Sequence, residues 1–462
     1  MRTFLSALAI VAALAPPLLA EPDWKALTDE TAQILSAYAK IDTTNPPGNE
    51  LPAAEFLQAT LAKDGIESKL YPSAPGRANL VARIKGTGKA QPILLLHHMD
   101  VVPAQASDWS FPPFSGAIED GFVYGRGTLD DKGGGVVQLG ALLARVREHK
   151  RCARDLIFLA VADEEVGGAE GAIFMVKNHL DDIRAEAVWN EGGATIEGLL
   201  PKRPVNSIAV TEKNSLWITL KASGEGGHGS SPTANGGINI LIAALSRIAA
   251  WERPLHLAPA MREALRRLGG AVVPGGAFAA SHIDAPPLSW IVNGRIKGNR
   301  VLNSSVRDTI SLTGLRAGLK HNVIPAHAEA DLDARLLPDT NPKEFIAELK
   351  QLIADPRIAI EVVHDIPELQ PPSHADTAFF RALEQAIEKR LPSSVSIPGM
   401  LTGGSDCKAF RAVGIDCYGY QPLLATQDMI SRFHGIDERV SLDNLRFGVQ
   451  VSYDTLETLC AE

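Results

Sequence analysis

The sequence predicts an α/β protein: a mostly parallel sheet sandwiched by helices, interrupted by a smaller α+β unit. Three observations carry this. Strand-like and helix-like segments alternate through the first 200 residues, the strands "NLVARIKG", "PILLLHHMD" and "DLIFLAVADEE" are apolar throughout, and the pattern changes near Val205. Strands without polar alternation belong to sheets covered on both faces.

Taken in order, "WKALTDETAQILSAYAKI" has helical periodicity, "DTTNPPGNE" breaks it, and "AAEFLQATLAKDG" resumes it. The three strands follow, with the helix "GGGVVQLGALLARVREH" between the last two. Beyond Val205, "SIAVTEKNSLWITLKASGEGG" and "AHAEADLDARLLP" alternate apolar and polar residues, as antiparallel strands do. The helices "GGINILIAALSRIAAW" and "NPKEFIAELKQLIAD" and the strand "AIEVVHD" complete that unit. The expected division is a leader at 1–20, a larger domain from 21–206 and 367–462, and an inserted domain from 207–366. The stretch Pro254–Ser304, rich in Gly, Pro and Ala, either lines an apolar pocket or forms a surface excursion.

The totals narrow the function. At 462 residues the chain is long enough for two or three domains, and a net charge of -9 offers no basic field for nucleic acid. Arg2, the apolar run "FLSALAIVAALAPPLLA" and then "EPDWK" read as a secretory signal cleaved near Ala20/Glu21. Pro16 and Pro17 interrupt that run, which falls short of the ~20 residues a membrane span needs. The protein is expected to be secreted or periplasmic. Its four cysteines (Cys152, Cys407, Cys417, Cys460) allow three fully paired connectivities, and free buried thiols are equally compatible with the sequence.

Titratable residues sit where core strands end. "PILLLHHMDVVP" drives four apolar residues into His97, His98 and Asp100. Two apart, His98 and Asp100 share a face of an extended chain, so Asp100 can hold one imidazole nitrogen while the other binds a metal. His97 points the other way and reads as scaffold. "LIFLAVADEEVGG" ends in Asp163, Glu164 and Glu165, three adjacent acids that repel one another without a cation. In "YGRGTLDDKGGG", Asp130 is either a helix N-cap or a cation ligand, and no phosphate-loop ending follows. "AVWNEGG" adds Glu191 and "SRFHGIDERV" adds His434. Two histidines and three carboxylates form a donor set suited to a pair of Zn²⁺ ions.

In this setting the series "HHMDVVP", "GRGTLDDKGG", "ADEEVGG", "NEGG", "GGHGSSP", "NVIPAHAEADLDARLLP", "GGSDCKAF" and "FHGIDERV" resembles the di-zinc aminoacylase/carboxypeptidase family across the mature chain. It looks closest to the branch of carboxypeptidase S and the N-fatty-acyl amino acid hydrolases. The resemblance implies a zinc-peptidase-like catalytic domain with a ferredoxin-like lid that also serves dimerisation. It implies two Zn²⁺ per chain, with Co²⁺ or Mn²⁺ as alternatives. Asp130 bridges them, His98 and Glu191 complete one position, and Glu165 and His434 the other. Glu164 is the general base and Asp100 orients His98. His228 donates to the oxyanion, often in a partner subunit's site. Arg335 and the backbone at Gly404 hold a substrate carboxylate, and a cis peptide joins Asp130 to Asp131.

The activity so implied is hydrolysis of an amide beside a free carboxylate, releasing an amino acid from an N-acyl amino acid or short peptide. A carboxypeptidase or dipeptidase using the same site is the alternative. An inactive binding relative would lack a ligand or Glu164, and all are present. A serine hydrolase would need a G-x-S-x-G elbow, and none occurs.

Overall fold

The computed structural model describes residues 21–363 and 368–461. The expected leader at 1–20 and the expected domain boundary at 366/367 lie outside the described residues.

A ten-stranded sheet forms the centre. Its order is Ser68–Ala74, Arg77–Ile84, Leu156–Val161, Ile93–His98, Ala187–Asn190, Asp416–Gly419, Arg203–Glu212, Thr195–Leu200 and Leu424–Ala425, with Val395–Leu401 also pairing Arg203–Glu212. The middle is parallel: Ile93–His98 runs alongside both Leu156–Val161 and Ala187–Asn190, which in turn lies beside Asp416–Gly419. The hairpin Ser68–Ala74/Arg77–Ile84 adds an antiparallel edge that the apolar runs did not reveal.

Strand Ile93–His98 is buried along its whole length. Successive side chains take opposite faces. Ile93 and Leu95 therefore enter a core roofed by helices Trp24–Ala39, Lys132–Arg147, Ala378–Arg390 and Leu442–Cys460. Leu94 and Leu96 enter a second core beneath helix Ala172–Ile183. Helix starts follow local chemistry: Asp23 accepts from the N–H groups of Lys25 and Ala26, and Thr377 from that of Phe380.

A separate antiparallel sheet has the order Thr309–Ala317, His327–Leu336, Asn214–Ser223, Ile358–Val362. Every second residue of His327–Leu336 is buried, as the alternating sequence requires. Those inward residues pack on Ile240, Leu241 and Ala244 of helix Gly237–Ala249 and on Phe345 and Leu349 of helix Pro342–Ile353.

The stretch Pro254–Ser304 is helical for most of its length: Pro259–Val272, Gly276–Ser281, Leu288–Lys297 and Arg300–Ser305. The first of these lays Met261, Ala264 and Leu268 against Val205, Val395 and Ile397 of the large sheet. The segment thus leans back on the larger unit, while Phe278, Trp290 and Val301 face outward.

All four cysteines pair, Cys152 with Cys460 and Cys407 with Cys417. The first bridge ties the end of the last helix to the segment entering Leu156–Val161. Among the described residues no helix is long and apolar enough to cross a membrane.

Candidate metal centre

Three adjacent parallel strands deliver their acidic and imidazole groups to one edge. His98 ends Ile93–His98, Glu164 and Glu165 follow Leu156–Val161, and Glu191 follows Ala187–Asn190. Open α/β sheets place ligands at this carboxyl edge. Asp130 arrives from the turn before helix Lys132–Arg147, and His434 from the turn after helix Gln427–Arg432.

The cluster is tight. His98 Nε2 lies 3.0 Å from Asp130 Oδ1, and His434 Nε2 lies 3.0 Å from Asp130 Oδ2 and 3.4 Å from Glu165 Oε2. Donor atoms of His98, Asp130 and Glu165 all fall within 4.8 Å of one another, and so do those of His98, Glu164 and Glu191. Asp130 therefore faces a histidine with each of its oxygens, the geometry expected of a bridging carboxylate. It is not the N-cap: Asp131 occupies that position and makes no capping hydrogen bond. The Asp130–Asp131 peptide is cis.

The electrostatics call for positive charge. Burial pushes Glu191 well above the usual carboxylate range, with Asp130 and Glu164 adding to it. Burial does the same to Glu164, reinforced by Asp406, Asp130 and Glu165. Burial opposes the Asp130 anion too, yet hydrogen bonds from His434 and His98 hold it well below that range. Bonds to Asp130 and Glu165 push His434 up to about 10. Glu165 Oε1 is buried with no hydrogen-bond partner. An excess of buried carboxylate with an orphaned oxygen fits a pair of divalent cations, and the N/O donor set suits zinc.

The two histidines separate as the pleat requires. His98 Nδ1 is 2.9 Å from the Asp100 carbonyl oxygen and 3.4 Å from its carboxylate. A proton on Nδ1 leaves Nε2 free to ligate. Asp100 thus holds His98 more closely through its main chain than through its side chain. The strand has already ended at His98, and the Asp100 carboxylate also reaches the neighbouring acidic turn. There it accepts from the N–H groups of Glu164 and Glu165, both at 3.1 Å. His97 lies on the opposite face, 3.3 Å from the Tyr38 hydroxyl and against Phe158, and burial lowers its pKa to about 3.

The glycines of "DDKGGG" are explained by packing. A Cβ at Gly135 would collide with the His97 ring, and one at Gly134 with the Asp131 carboxylate. They bring the helix close to the strand rather than cradle a phosphate.

Sequence reasoning missed the groups that brace this edge. Asn45 donates to Asp100 at 2.8 Å and to Asp163 at 3.2 Å. Asp163 also pairs with Arg77 at 2.7 Å, and Gln421 donates to the Leu129 carbonyl and to Asp131. Each lies far along the chain from its partner, and only the unexplained "TTNPPGN" loop hinted at Asn45.

Among the described residues, no hydrogen bond or ion pair joins three further expected residues to the ligands. Arg335 pairs with Asp333 at 2.8 Å and donates to Ser215 Oγ at 2.7 Å. Gly404 sits in an exposed turn with open space around it. His228 is exposed on a two-stranded ribbon, its Nδ1 2.7 Å from Ser230 Oγ.

Comparison with known proteins gives the family. The model of peptidase family M20/M25/M40 matches residues 94–458. The N-fatty-acyl-amino acid synthase/hydrolase PM20D1 of Bos taurus is 32% identical over 81% of this chain and 75% of its own length. The probable carboxypeptidase S-like 2 of Dictyostelium discoideum is 29% identical over 87% and 78%, and aminoacylase-1 of Sus scrofa 25% over 92% and 94%.

In three dimensions the chain is similar to the metallo-carboxypeptidase Sso-CP2 of Sulfolobus solfataricus, with a TM-score of 0.72, 19% identity and coverage of 93% and 99%. The Bacillus subtilis YXEP protein, described as a dinuclear metal binding peptidase, follows at 0.57, with 16% identity over 94% and 99%. The chain belongs to peptidase family M20/M25/M40 and is a hydrolase of its metallopeptidase and aminoacylase kind.

Proposed function

We propose that this protein is a secreted, zinc-dependent amidohydrolase. It cleaves an amide whose leaving amine carries a free carboxylate, releasing an amino acid from an N-acyl amino acid or short peptide. The observation that carries this reading is Glu164, a half-buried acid beside the convergent set His98, Asp130, Glu165, Glu191 and His434.

In this reading two zinc ions would be held with Asp130 shared between them, His98 and Glu191 completing one position, and Glu165 and His434 the other. Zinc held there would supply Lewis acidity to the scissile carbonyl and to an attacking water. Glu164 accepts the proton lost by the attacking water and returns it to the departing amine nitrogen. Its raised proton affinity suits a group that must carry a proton between the two. His228 donates to the oxyanion as the carbonyl carbon becomes tetrahedral.

Arg335 offers the substrate carboxylate a planar fork, shared with Asp333, and the open backbone at Gly404 completes that contact. Replacing Arg335 with methionine is expected to raise KM roughly 10- to 100-fold with a smaller change in kcat, a charged hydrogen bond being worth about 1.5–3 kcal/mol. Steady-state kinetics on an N-acyl amino acid and on its amidated counterpart check this, since the amide lacks the carboxylate and is expected to be insensitive.

The larger domain, expected at 21–206 and 367–462 but extended to Glu212 by the strand Arg203–Glu212 of its sheet, is the catalytic domain, and the rest of the inserted stretch up to 366 is the lid, through which two chains pair. The exposed position of His228 supports its acting across that interface. Mixing Glu164→Ala with His228→Ala protein is then expected to restore activity, because one site of each mixed dimer regains both groups. No recovery on mixing refutes the cross-subunit role. The two disulfides support an oxidising compartment, consistent with the leader at 1–20.

The acylase and peptidase readings separate in one experiment. Zinc-loaded enzyme is given N-acetyl, N-long-chain-acyl and peptidyl amino acids, and amine release is followed. The N-acyl substrates are expected to be cleaved; turnover of peptides alone would assign a carboxypeptidase or dipeptidase.

A further inference from the structure

The ligands of the proposed metal pair are not equally well held. His98 is almost completely buried at the end of a core strand, and Glu191 directly follows another. His434 is different: its side chain is 53% exposed and it lies in a turn with φ of +57°. Side-chain packing cannot fix such a residue, and a non-glycine backbone in the left-handed region persists only where its surroundings impose it. Something must hold this turn against the loop that carries Asp130, 304 residues earlier in the chain.

The short strands Phe122–Tyr124 and Arg439–Ser441 bring the two segments together, and one ion pair carries that join on to the ligand loops. Arg126 and Glu438 are both buried, with side chains 3% and 0% exposed, and their Nη1 and Oε2 atoms lie 2.6 Å apart. The other carboxylate oxygen of Glu438 accepts from the backbone N–H of Leu129 at 2.7 Å and from that of Asp130 itself at 3.2 Å. From the opposite side, Arg126 Nη2 donates to the His434 carbonyl oxygen at 3.2 Å. Each partner therefore comes from one ligand loop and grips the other. The backbone adds a parallel tie, Gly125 N–H to the Glu438 carbonyl oxygen at 3.0 Å, and the guanidinium lies over the Trp109 ring.

We infer that the Arg126–Glu438 pair is the positioning unit that sets the separation of Asp130 and His434, and with it the affinity of the metal position these two share with Glu165. The inference rests on the two-metal reading above. Neither residue touches substrate. A buried ion pair is a poor source of net stability, because desolvation offsets most of its attraction. Its yield here is geometric: a single carboxylate and a single guanidinium reach from the end of that strand pair to the two ligand loops themselves.

The position built from His98 and Glu191 hangs on strand ends and shares only Asp130 with this tie, whereas the other takes both Asp130 and His434 from it. Damage to the pair is therefore expected to be unequal.

The test is zinc titration of metal-stripped wild type, Arg126→Lys and Glu438→Gln by calorimetry, with metal counted after dialysis and melting of the metal-free proteins followed in parallel. Lysine keeps the charge but cannot reach Glu438 and the His434 carbonyl together. Wild type is expected to take two ions. Both variants are expected to bind one ion with little change and the other about 10- to 100-fold more weakly, the scale found for groups that orient ligands. Metal-free Arg126→Lys is expected to melt close to wild type.

Two unaltered affinities in the variants overturn the inference, as does equal weakening of both positions, which would mark the pair as general scaffold. Failure of both variants to fold points the same way. A wild type that takes fewer than two ions instead removes the two-metal reading itself, a result separable from the others.

Discussion

Replacing Glu164 with alanine is expected to lower kcat by about 10²- to 10⁴-fold, the range for a general acid–base group, while both metal ions stay bound. Glu164 sits at the lip of the cluster on the short turn Glu164–Val166 after a core strand, and its N–H is fixed by Asp100. Its carboxylate is surrounded by Asp130, Glu165 and Asp406, which raise its proton affinity beyond what burial alone does. Removing it leaves the proposed ligands in place but removes the carrier of the proton. Steady-state kinetics with elemental analysis of the purified variant test this. Activity untouched by the substitution would sink the mechanism, and a lost metal would reassign Glu164 from base to ligand.

The second large effect is an inequality between neighbours. His98→Ala is expected to weaken one metal position by more than about 100-fold, exceeding what loss of an orienting partner does, and to abolish turnover with it. His97→Ala is expected to keep both metals and instead to destabilise the fold by roughly 2–4 kcal/mol, as truncations of buried side chains do. The reason is visible in the pleat. His98 Nε2 faces Asp130, whereas His97 fills a space between Tyr38, Phe158 and Gly135. Metal content and denaturant unfolding of the two proteins separate the effects. Equal metal loss in both would contradict the assignment of faces.

Much of this site could be read from the chain because it is built on regular elements. Period-two geometry distinguishes His98 from His97 without any structure, and apolar strands ending in "HHMD", "ADEE" and "NEGG" announce a charged sheet edge. Alternation in "AHAEADLDARLLP" likewise foretold one buried and one exposed face, and the strand His327–Leu336 has them. Irregular segments were illegible for the same physical reason. The stretch Pro254–Ser304 has no simple periodicity and folds as short helices whose packing partners, Val205 and Ile397, lie elsewhere in the chain. Asp100 meets the His98 imidazole with its carbonyl at 2.9 Å and its carboxylate at 3.4 Å. That the same carboxylate also takes the Glu164 and Glu165 N–H groups was not legible, because the strand stops at His98 and the partners come from another turn.

By itself, then, the sequence determined the α/β class, the residues able to hold a metal pair, the candidate base and the family resemblance. These depend on residue type and short-range spacing, which a linear chain carries in full. Only the tertiary structure decided which cysteines pair, that Asp130 meets a histidine with each oxygen, and that Arg126 and Glu438 join the loops of Asp130 and His434. Most of those contacts unite residues some 300 positions apart, and whether two such groups come within hydrogen-bond reach is fixed by how the sheet and its helices pack, not by anything local to either one.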